Sequence, residues 1–473
     1  MPHQCALDAG VSADRSEAAL EGDSRRCYDG VMATTEDLIS RAVAGVDASH
    51  DDIIATARAI WAHPEIGFRE FETATLVAKR FRTLGLEPRE GLAITGVRAD
   101  MDFGARGPTV AILGELDALP VPDHPAADPK TGVAHACGHH AQVAQMLGVA
   151  AALRSAGIEG ALTGRVAFIA VPAEEYVDLA WRTEQSRAGR IEFLGGKPEL
   201  LRLGAFDGVD MAMYIHASAS PEDLRMSIPA GSSGFVVKRA RFLGRASHAA
   251  VAPELGINAL HAASLALTAI GMQRETFRDE DGIRVHSILT RGGDAINVVP
   301  AEVWLETQVR GLTLAAMQDA VGKVDRSLRA AALAVGADVE IETLPGYLPL
   351  AQDTVLQRRF ARQARAIVGD EGWTTRPPIK ASTDAGDLSQ VMPLIHPSAG
   401  GFGGSMHGAT FRVVDEEAAY IDPTKALVAT VVDLLADGAA GAREVLAAPS
   451  LHLSIAEYLM LVRSLSGVER FEA

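Results

Sequence analysis

His135-Ala-Cys-Gly-His-His140 places three histidines and a cysteine within six residues. Gly132 precedes this stretch, and the helically spaced apolar run Val143–Leu153 follows it, so we expect a loop that enters a helix. A thiolate and an imidazole two residues apart in such a loop can both turn toward one metal ion. The stretch is therefore a candidate metal-binding loop.

Further candidate ligands stand where strand-like apolar runs end, or in a glycine-rich segment. They are the pair Glu174-Glu175 after Val166–Pro172, His216 after Val209–Ile215, and His407 within Gly400–Gly408. Because successive side chains diverge at a strand end, one glutamate can bind metal while its neighbour faces a substrate and transfers a proton. Nitrogen, sulfur and carboxylate ligands together are typical of zinc or manganese hydrolases, in which the cation lowers the pKa of water toward about 7.

Each of these features also has an ordinary structural interpretation. A single cysteine is commonly a small buried hydrophobic residue, and a single histidine commonly serves packing. A pair of glutamates usually lies on a solvated surface, and a glycine-rich run can be a plain loop. Their co-occurrence at the ends of strand-like runs favours a divalent metal hydrolase.

Composition narrows the class of protein. The chain has 473 residues, of which 48% are hydrophobic and 22% charged, with a formal net charge of −17, as expected of a globular protein with a sizeable core. This acidic balance argues against nucleic acid or an anionic membrane surface as a partner. Three cysteines cannot form a disulfide framework in so long a chain. With no signal peptide and no apolar run near the roughly 20 residues of a membrane span, we expect a cytoplasmic protein.

The N-terminal half of the chain alternates helical and strand-like patterns. Helical spacing begins near Thr35 and continues to His63-Pro64, and a second helix is predicted over Glu70–Leu84. Short β-rich runs follow at Val110–Gly114 and Val166–Val171. This alternation predicts an α/β fold with sites at the strand ends.

The pattern changes after Ser227, where strands and two amphipathic helices predict a compact α+β insert. The strands are Phe235–Leu243, Ile283–Thr290, Val303–Arg310 and Val339–Thr343, and the helices are Ile257–Arg274 and Thr313–Ala334. A last amphipathic helix, of unassigned purpose, is predicted over Leu453–Leu465. The predicted organisation is a disordered extension (1–31, with Met32 as a second candidate start), a first catalytic segment (32–227), the insert (228–345), a second catalytic segment (346–437) and a C-terminal helical extension (438–473).

Five short segments carry a resemblance to a known family. They are His63-Pro-Glu-Ile-Gly-Phe68, Gly114-Glu-Leu-Asp-Ala-Leu-Pro120, Ala136-Cys-Gly-His139, Pro172-Ala-Glu-Glu175 and Ala246-Ser-His-Ala249. In this order they resemble the M20 metallopeptidases, in the amidohydrolase branch of that family. The run Ser382-Thr-Asp-Ala-Gly-Asp-Leu-Ser389 and the segment around His407 are similar to the aminobenzoyl-glutamate hydrolase subgroup in particular. The resemblance extends over about residues 35–437.

The resemblance implies a fold and a metal centre. The fold would be a metallo-exopeptidase-like catalytic domain with a mixed sheet flanked by helices, interrupted by an α+β lid or dimerisation domain. One or two divalent ions per subunit (manganese or zinc, with cobalt as a third candidate) would be bound by five ligands, among which Cys137 would bridge two ions. The implied ligands are Cys137, His139, Glu175, His216 and His407.

The resemblance also implies catalytic and substrate-binding residues. Glu174 aligns with the general base, and His248 with a histidine that supports the oxyanion, usually in the partner subunit's active site. Asn297 aligns with a substrate-binding asparagine. His140 stands where this branch commonly has Asp or Asn, and we expect it to contact substrate; a third ligand or a residue that supports the ligands are the alternatives.

Other residues near these segments receive no firm role. Distant family members place a metal-binding histidine where this chain has Glu115, which could ligate or only orient its neighbours and is left out of the ligand set. Asp117 is expected to orient a ligand. The role of His135 is open.

The implied activity is hydrolysis of a C–N bond, in the first place the amide of an N-acyl or N-aroyl amino acid such as aminobenzoyl-glutamate. Alternatives are release of ammonia from an aromatic amine such as a nitroanthranilate, or a dipeptidase. A non-catalytic binding protein ranks last, because no implied ligand or base is missing. The expected partners are a small, carboxylate-bearing substrate that can be aromatic, and a second copy of the chain in a homodimer or higher homo-oligomer. Serine hydrolase chemistry is disfavoured because no Gly-x-Ser-x-Gly segment is present.

Overall fold

The computed structural model describes residues 33–449 and 452–473. The predicted disordered extension over residues 1–31 and the candidate start at Met32 lie outside the described residues. Helices and strands alternate through the catalytic segments, and a mixed sheet flanked by helices is present, so the predicted α/β class is confirmed.

The longer helices are labelled α1 to α12 in chain order. They are α1 (Thr35–Ala48), α2 (His50–Trp61), α3 (Phe71–Thr83), α4 (His139–Ser155), α5 (Leu179–Arg187), α6 (Gly196–Arg202), α7 (Ala259–Met272), α8 (Leu314–Val335), α9 (Thr354–Val368), α10 (Ala385–Leu388), α11 (Asp422–Ala447) and α12 (Ile455–Ser464). The helical spacing from Thr35 to His63-Pro64 predicted one continuous helix, but Ser49 separates α1 from α2. Its backbone leaves the helical region (φ −103°, ψ 6°), and acidic residues in the first turn of α2 favour a new N-terminus there.

A six-stranded mixed sheet, called here the central sheet, organises the catalytic segments. Its strands, in spatial order, are Arg89–Leu92, Gly96–Asp102, Arg165–Val171, Thr109–Glu115, Met211–Met213 and Leu394–Ile395. The two predicted strands, Val110–Gly114 and Val166–Val171, are confirmed and pair in parallel. Their continuous apolar sequence fits a sheet that is buried on both faces.

Alternate residues of these strands enter two different hydrophobic clusters. Val110 and Ile112 pack with the layer of α1, α2, α4 and α11, whereas Ala111 and Leu113 pack with α6, α10 and α12. Helix α4 lies under the sheet and is buried along almost its whole length, which explains why its sequence is apolar on every side. The sheet therefore holds the N-terminus of α4 and its own strand ends in fixed relative positions.

A five-stranded antiparallel sheet, called here the lid sheet, forms the insert. Its strands, in spatial order, are Arg284–Arg291, Glu302–Gly311, Gly234–Leu243, Asp338–Pro345 and Gly467–Phe471. Buried and half-buried residues alternate along two of the three inner strands, Glu302–Gly311 and Gly234–Leu243, and α7 and α8 cover the buried face. The four strands and two helices predicted for the insert are confirmed to within two residues, while the division of the chain at residues 228 and 345 stays a prediction.

The C-terminal segment joins the two sheets and contains more than the predicted helix. Helix α11 continues past the predicted boundary at 437/438, with a kink over Ala436–Ala439. The predicted helix Leu453–Leu465 is present as α12, which starts at a capping box on Ser454 and packs on the catalytic segments. The strand Gly467–Phe471 then pairs with the lid sheet. Within residues 33–449 and 452–473, no helix combines the length and apolar character needed to cross a membrane.

Candidate metal centre and active-site cleft

A cleft of about 620 Å³ opens beside the metal-binding loop predicted from the sequence. Its lining includes Cys137, His216 and His407 together with the pair Glu174-Glu175. The volume falls in the range of about 300–1,000 Å³ that is usual for small-molecule sites. The cleft can therefore hold a small substrate against the candidate ligands.

The loop before α4 depends on a glycine. Gly138 has a φ of 90°, and a β-carbon there would lie 2.2 Å from the β-carbon of Ala217. This left-handed turn lets Cys137 and His139 converge on either side of it. His139 is fully buried, and its Nδ1 lies 2.8 Å from the carbonyl oxygen of Asp117, so Nε2 is left for a metal ion.

Cys137 lies between two groups of possible ligand atoms. Its Sγ is 3.4 Å from Nε2 of His216 and 3.2 Å from Nε2 of His407. Nε2 of His407 is also 3.1 Å from Oε1 of Glu175. All five predicted ligands fall into two groups that share Cys137, one with His139 and His216 and the other with Glu175 and His407.

These distances and atoms fit a divalent metal centre. Ligand atoms that lie about 2.0–2.3 Å from one ion are themselves separated by about 3–4 Å, as the sulfur and nitrogen atoms are here. Nε2 of His139 and Oε1 of Glu175 are buried and make no hydrogen bond of good geometry among the described residues, although Oε2 of Glu115 and Nε2 of His407 lie 3.1 Å from them. Buried polar atoms are rarely left unpaired, so both atoms fit the role of ligands. The mixture of thiolate, imidazole and carboxylate suits zinc or manganese.

The adjacent glutamates point in different directions, as was expected of a pair at a strand end. Oε1 of Glu175 faces His407, whereas Oε2 of Glu174 lies 3.9 Å from Nε2 of His139. The backbone N–H of Glu175 donates to Oδ2 of Asp117 at 2.9 Å, and the hydroxyl of Tyr347 donates to the carbonyl oxygen of Glu174. Burial, followed by the carboxylates of Glu115 and Asp384, raises the pKa of Glu174 well above its ordinary value. Glu174 can therefore accept and hold a proton.

Glu115 belongs to a fully buried charged network beside the ligands. Its Oε2 lies 3.1 Å from Nε2 of His139 and accepts a hydrogen bond from Nε2 of Gln142 at 2.9 Å. Its other oxygen accepts from the ammonium of Lys197, which also donates to Asp384. Burial acts to raise the pKa of Glu115, but the charge of Lys197, together with His139, His396 and His216, outweighs burial and lowers that pKa. Lys197 was missed as a member of the site because no local pattern marks it, and Asp384 lies in the run Ser382–Ser389 but received no role there.

His140 does not fit the predicted substrate contact. It has no exposed surface, it lies 3.1 Å from the hydroxyl of Tyr420, and its ring packs edge-on against Trp61. A side chain enclosed in this way has no face to offer to a substrate in the cleft. The neighbouring His135 is also buried, and burial lowers its pKa to about 3. Both rings are therefore expected to be neutral.

His248 and Asn297 lie on the lid, away from the cleft of the same chain. Both are exposed, neither lines the cleft, and the N–H of Ala249 donates to the carbonyl oxygen of Asn297 at 3.0 Å. The structure thus places the two lid residues together, but it does not bring them to the metal centre within one chain.

Arg310 was not identified from the sequence, where its strand alternation looks ordinary. It projects from the lid sheet, and its guanidinium donates to Oγ of Ser382 at 2.6 Å and lies over the ring of Phe235. Ser382 lines the cleft. Burial lowers the pKa of Arg310, and no carboxylate of the described residues offsets this. Arg310 is therefore a cation at the border of the cleft without an acidic partner.

Comparisons with known proteins identify the family to which the chain belongs. Residues 111–437, more than half of the chain, match the model of peptidase family M20/M25/M40. Over 381 residues the chain is 30% identical to the Xaa-Arg dipeptidase of Mus musculus, covering 77% of this chain and 80% of that protein. Over 357 residues it is 28% identical to the IAA-amino acid hydrolase ILR1-like 2 of Arabidopsis thaliana, covering 72% and 75%.

Solved structures share the fold. A dinuclear metal binding peptidase of the M20 family from Bacillus subtilis superposes with a TM-score of 0.65 and 23% identity, covering 82% of this chain and 98% of that one. The aminobenzoyl-glutamate utilization protein of Klebsiella pneumoniae superposes with a TM-score of 0.60 and 20% identity, covering 82% and 97%. The chain belongs to peptidase family M20/M25/M40 and is a metal-dependent hydrolase.

Proposed function

We propose that this hydrolase cleaves the amide bond of an N-acyl or N-aroyl amino acid, such as an aminobenzoyl-glutamate-like compound. One or two divalent ions, manganese or zinc with cobalt as the third candidate, would be held by the five residues around Cys137. The observation that carries the proposal is that Glu174 lines the cleft and that its Oε2 lies 3.9 Å from Nε2 of the proposed ligand His139. A carboxylate in that position can serve a reaction of water with a bound amide.

The proposed chemistry divides between the ion and the side chains. A divalent ion would polarise the substrate carbonyl and lower the pKa of water toward about 7. Glu174 would take the proton of the attacking water and deliver it to the leaving nitrogen, a role that its raised pKa favours. Glu175, on the far side of the turn, would hold metal together with His407.

His248 would stabilise the negative charge on the carbonyl oxygen from the partner subunit. Backbone N–H groups of Ala250 and Val251 donate to its Nδ1 at 3.2 and 3.1 Å. A neutral ring then carries its proton on Nε2, where it can be donated to an oxyanion. Asn297, beside it on the lid, would contact the substrate from the same side.

A homodimer, or a larger homo-oligomer built from it, would bring these lid residues to a second cleft. The strand Arg284–Arg291 is at an edge of the lid sheet, and apolar side chains are exposed on it and near His248. These are Ile288, Leu289, Ile296, Val298 and Val251. A free edge strand with exposed apolar residues is a surface that a second copy can cover.

The domain boundaries and the cellular compartment are part of the same proposal. The proposed domains are the first catalytic segment (32–227), the lid (228–345), the second catalytic segment (346–437) and the C-terminal segment (438–473). The proposed compartment is the cytoplasm, because the Cys137 thiol must stay reduced to bind metal and a reducing compartment keeps it so.

Arg310 supports a substrate that bears a carboxylate. Its guanidinium reaches Ser382 at the cleft border and has no acidic partner among the described residues. An arginine fork pairs with a carboxylate through two parallel hydrogen bonds, and this pairing offsets the cost of burying the cation. The amino-acid half of an N-acyl amino acid carries such a group.

A dipeptidase is the second candidate, because the cleft also contains an acidic residue. Asp223 lines it, and its Oδ1 accepts a hydrogen bond from Oγ of Ser227 at 2.8 Å. A carboxylate in the cleft could bind the free amine of a dipeptide. The similarity to the Xaa-Arg dipeptidase favours the same candidate.

Product release from a substrate panel tests the proposal. Metal-loaded protein would be given N-acyl amino acids, aminobenzoyl-glutamate, dipeptides with a free or acetylated amine, and nitro-substituted aminobenzoates. We expect cleavage of the acylated compounds, with little effect of Asp223→Asn. Strong preference for free-amine dipeptides, lost in Asp223→Asn, would replace the proposal with the dipeptidase. Ammonia from the aromatic amines alone would contradict both.

A further inference from the structure

The residue before the catalytic pair has an unusual backbone. Ala173 has a φ of 54°, in the left-handed region that residues with a β-carbon rarely adopt. It lies between the end of the strand Arg165–Val171 and the pair Glu174-Glu175. The turn at Ala173 thus sets the directions in which the two carboxylates leave the sheet.

Three neighbours hold Ala173 in this conformation. Its N–H donates to Oε1 of Glu70 at 2.8 Å, and its carbonyl oxygen accepts from the N–H of Gly196 at 3.1 Å. The chain at Gly67 passes so closely that a β-carbon there would lie 2.8 Å from the α-carbon of Ala173. The guanidinium of Arg182 also reaches the Ala173 carbonyl oxygen, at 3.5 Å. Glu70 makes the shorter side-chain contact and the one to the Ala173 N–H, so substitution of Glu70 can change that contact selectively.

Burial of the Glu70 carboxyl group costs free energy, and Glu70 lies outside the cleft. It is fully buried immediately before α3, and its Oε2 accepts the hydroxyl of Thr95 at 2.5 Å. A buried carboxyl group is tolerated only when it is hydrogen-bonded, and here the two side-chain oxygens serve Thr95 and Ala173. Glu70 does not line the cleft, so any effect on the reaction must be indirect.

We propose that Glu70 is a positioning residue for the catalytic carboxylates. By binding the Ala173 amide it holds the left-handed turn, and the turn directs Glu174 toward the substrate and Glu175 toward His407. The inference rests on the proposed function, in which Glu174 is the general base and Glu175 a ligand. A shift of about 1 Å in a catalytic group can slow a reaction about 100-fold.

Two substitutions separate the position of the Glu70 side chain from its charge. Glu70→Gln keeps an oxygen for the Ala173 N–H and places an amide beside the Thr95 hydroxyl. Because burial and the Asp117 carboxylate raise the pKa of Glu70 to about 7, a neutral amide is a close substitute near neutral pH. Glu70→Asp keeps the carboxylate but withdraws it by one methylene. Glu70→Asn has the same short reach without a buried charge, and it serves if the aspartate variant does not fold.

The expected rates depend on how far the side chain at position 70 reaches toward the Ala173 N–H, rather than on its charge. Glu70→Gln should keep kcat within about 3-fold of the parent protein, whereas Glu70→Asp and Glu70→Asn should lower it about 10- to 100-fold with KM almost unchanged. Leu38→Ala controls for a general loss of stability. It creates a cavity in a hydrophobic cluster that does not contain Ala173. Equal rates for the glutamine and asparagine variants, or a loss only when the charge is removed, would overturn the proposal.

Hydrogen exchange gives a measure that does not depend on turnover. Backbone amides of residues 171–176 should exchange faster in the short-reach variants than in Glu70→Gln, and no faster in Leu38→Ala. Unchanged exchange in the short-reach variants would overturn the positioning role. Failure of the proposed function would look different: Glu174→Gln would keep its activity while the short-reach variants still exchanged faster.

Discussion

At Cys137, one sulfur atom faces both groups of candidate ligands. His216 and His407 lie 3.4 and 3.2 Å from it on the two sides. Burial, followed by the Glu175 carboxylate, raises the pKa of the thiol well above its ordinary value. A thiolate at this position would therefore depend on bound cations for its stabilisation. We expect the Cys137 thiol to lose its proton when the metal binds.

Replacement of Cys137 tests this coupling. Cys137→Ala should lower the amount of metal bound per subunit after dialysis, measured by elemental analysis, because both groups lose their shared ligand. Cys137→Asp keeps an anionic ligand and should retain more metal than the alanine variant. If Cys137→Ala bound as much metal as the parent protein, the cysteine would be a packing residue only.

Residues in short sequence segments can be recognised from their pattern, whereas residues defined by distant contacts cannot. The five predicted ligands stand in a loop before a helix, at strand ends and in a glycine-rich segment, and their side chains lie together in the structure. Lys197 contacts Glu115 across 82 residues of chain, so no local pattern could reveal it. His140 was misjudged, because adjacency to a ligand in sequence does not say which side of α4 a side chain occupies. The same helix start directs His139 to the metal centre and His140 to Trp61 and Tyr420.

Among the elements, the C-terminal segment contacts both sheets. Tyr458 of α12 is buried and donates to Oδ1 of Asp387 in the second catalytic segment at 2.8 Å. Nine residues after Tyr458, the strand Gly467–Phe471 begins and pairs with Asp338–Pro345 of the lid sheet. Phe471 lies under the guanidinium of Arg329 at 3.7 Å. The C-terminal segment therefore connects the lid to the catalytic segments. This connection is separate from the two places where the chain enters and leaves the lid.

Removal of residues 467–473 should loosen this tie. The edge of Asp338–Pro345 would lose its backbone partners, and we expect Tm to fall by roughly 2–6 °C. Hydrogen exchange of residues 338–345 should become faster. Val468→Thr, a change at an exposed position, is the matched control and should leave both measurements unchanged. A truncated protein with unaltered Tm and exchange would show that the strand contributes nothing to holding the lid.

Element prediction succeeded where apolar residues recur at a regular spacing. The strand Gly234–Leu243 alternates between buried and half-buried positions, and its bounds were predicted within one residue. Gly467–Phe471 was missed because it is short, mostly exposed and rich in charge, so its pairing is set by the neighbouring strand rather than by its own pattern. The break between α1 and α2 was missed for a similar reason, since the apolar spacing continues across Ser49.

In the whole molecule, the candidate catalytic residues lie on two separate surfaces. Glu174 and four of the five predicted ligands line the cleft, whereas His248 and Asn297 are exposed on the lid. Exposed apolar residues surround His248, including Val251 and Val298. In the proposed homodimer, the lid of one subunit completes the site of the other.

Mixing two inactive variants tests this arrangement. Glu174→Gln lacks the base and His248→Ala lacks the oxyanion donor, so each homodimer should be inactive. After subunit exchange, half of the dimers are mixed and one of their two sites is intact, so about one quarter of the parent activity should return. No recovery despite confirmed exchange would place His248 in its own subunit's site or outside the chemistry.

In the proposed function, a metal centre and the Glu174 carboxylate together hydrolyse a C–N bond. The most direct measurement is metal content and turnover on one preparation of Glu174→Gln, compared with the parent protein on the same acylated amino acid. We expect the variant to bind the parent amount of metal while its kcat falls by about 10²- to 10⁴-fold. A variant that keeps its metal and hydrolyses the substrate at the parent rate would contradict the assignment of Glu174 as the base.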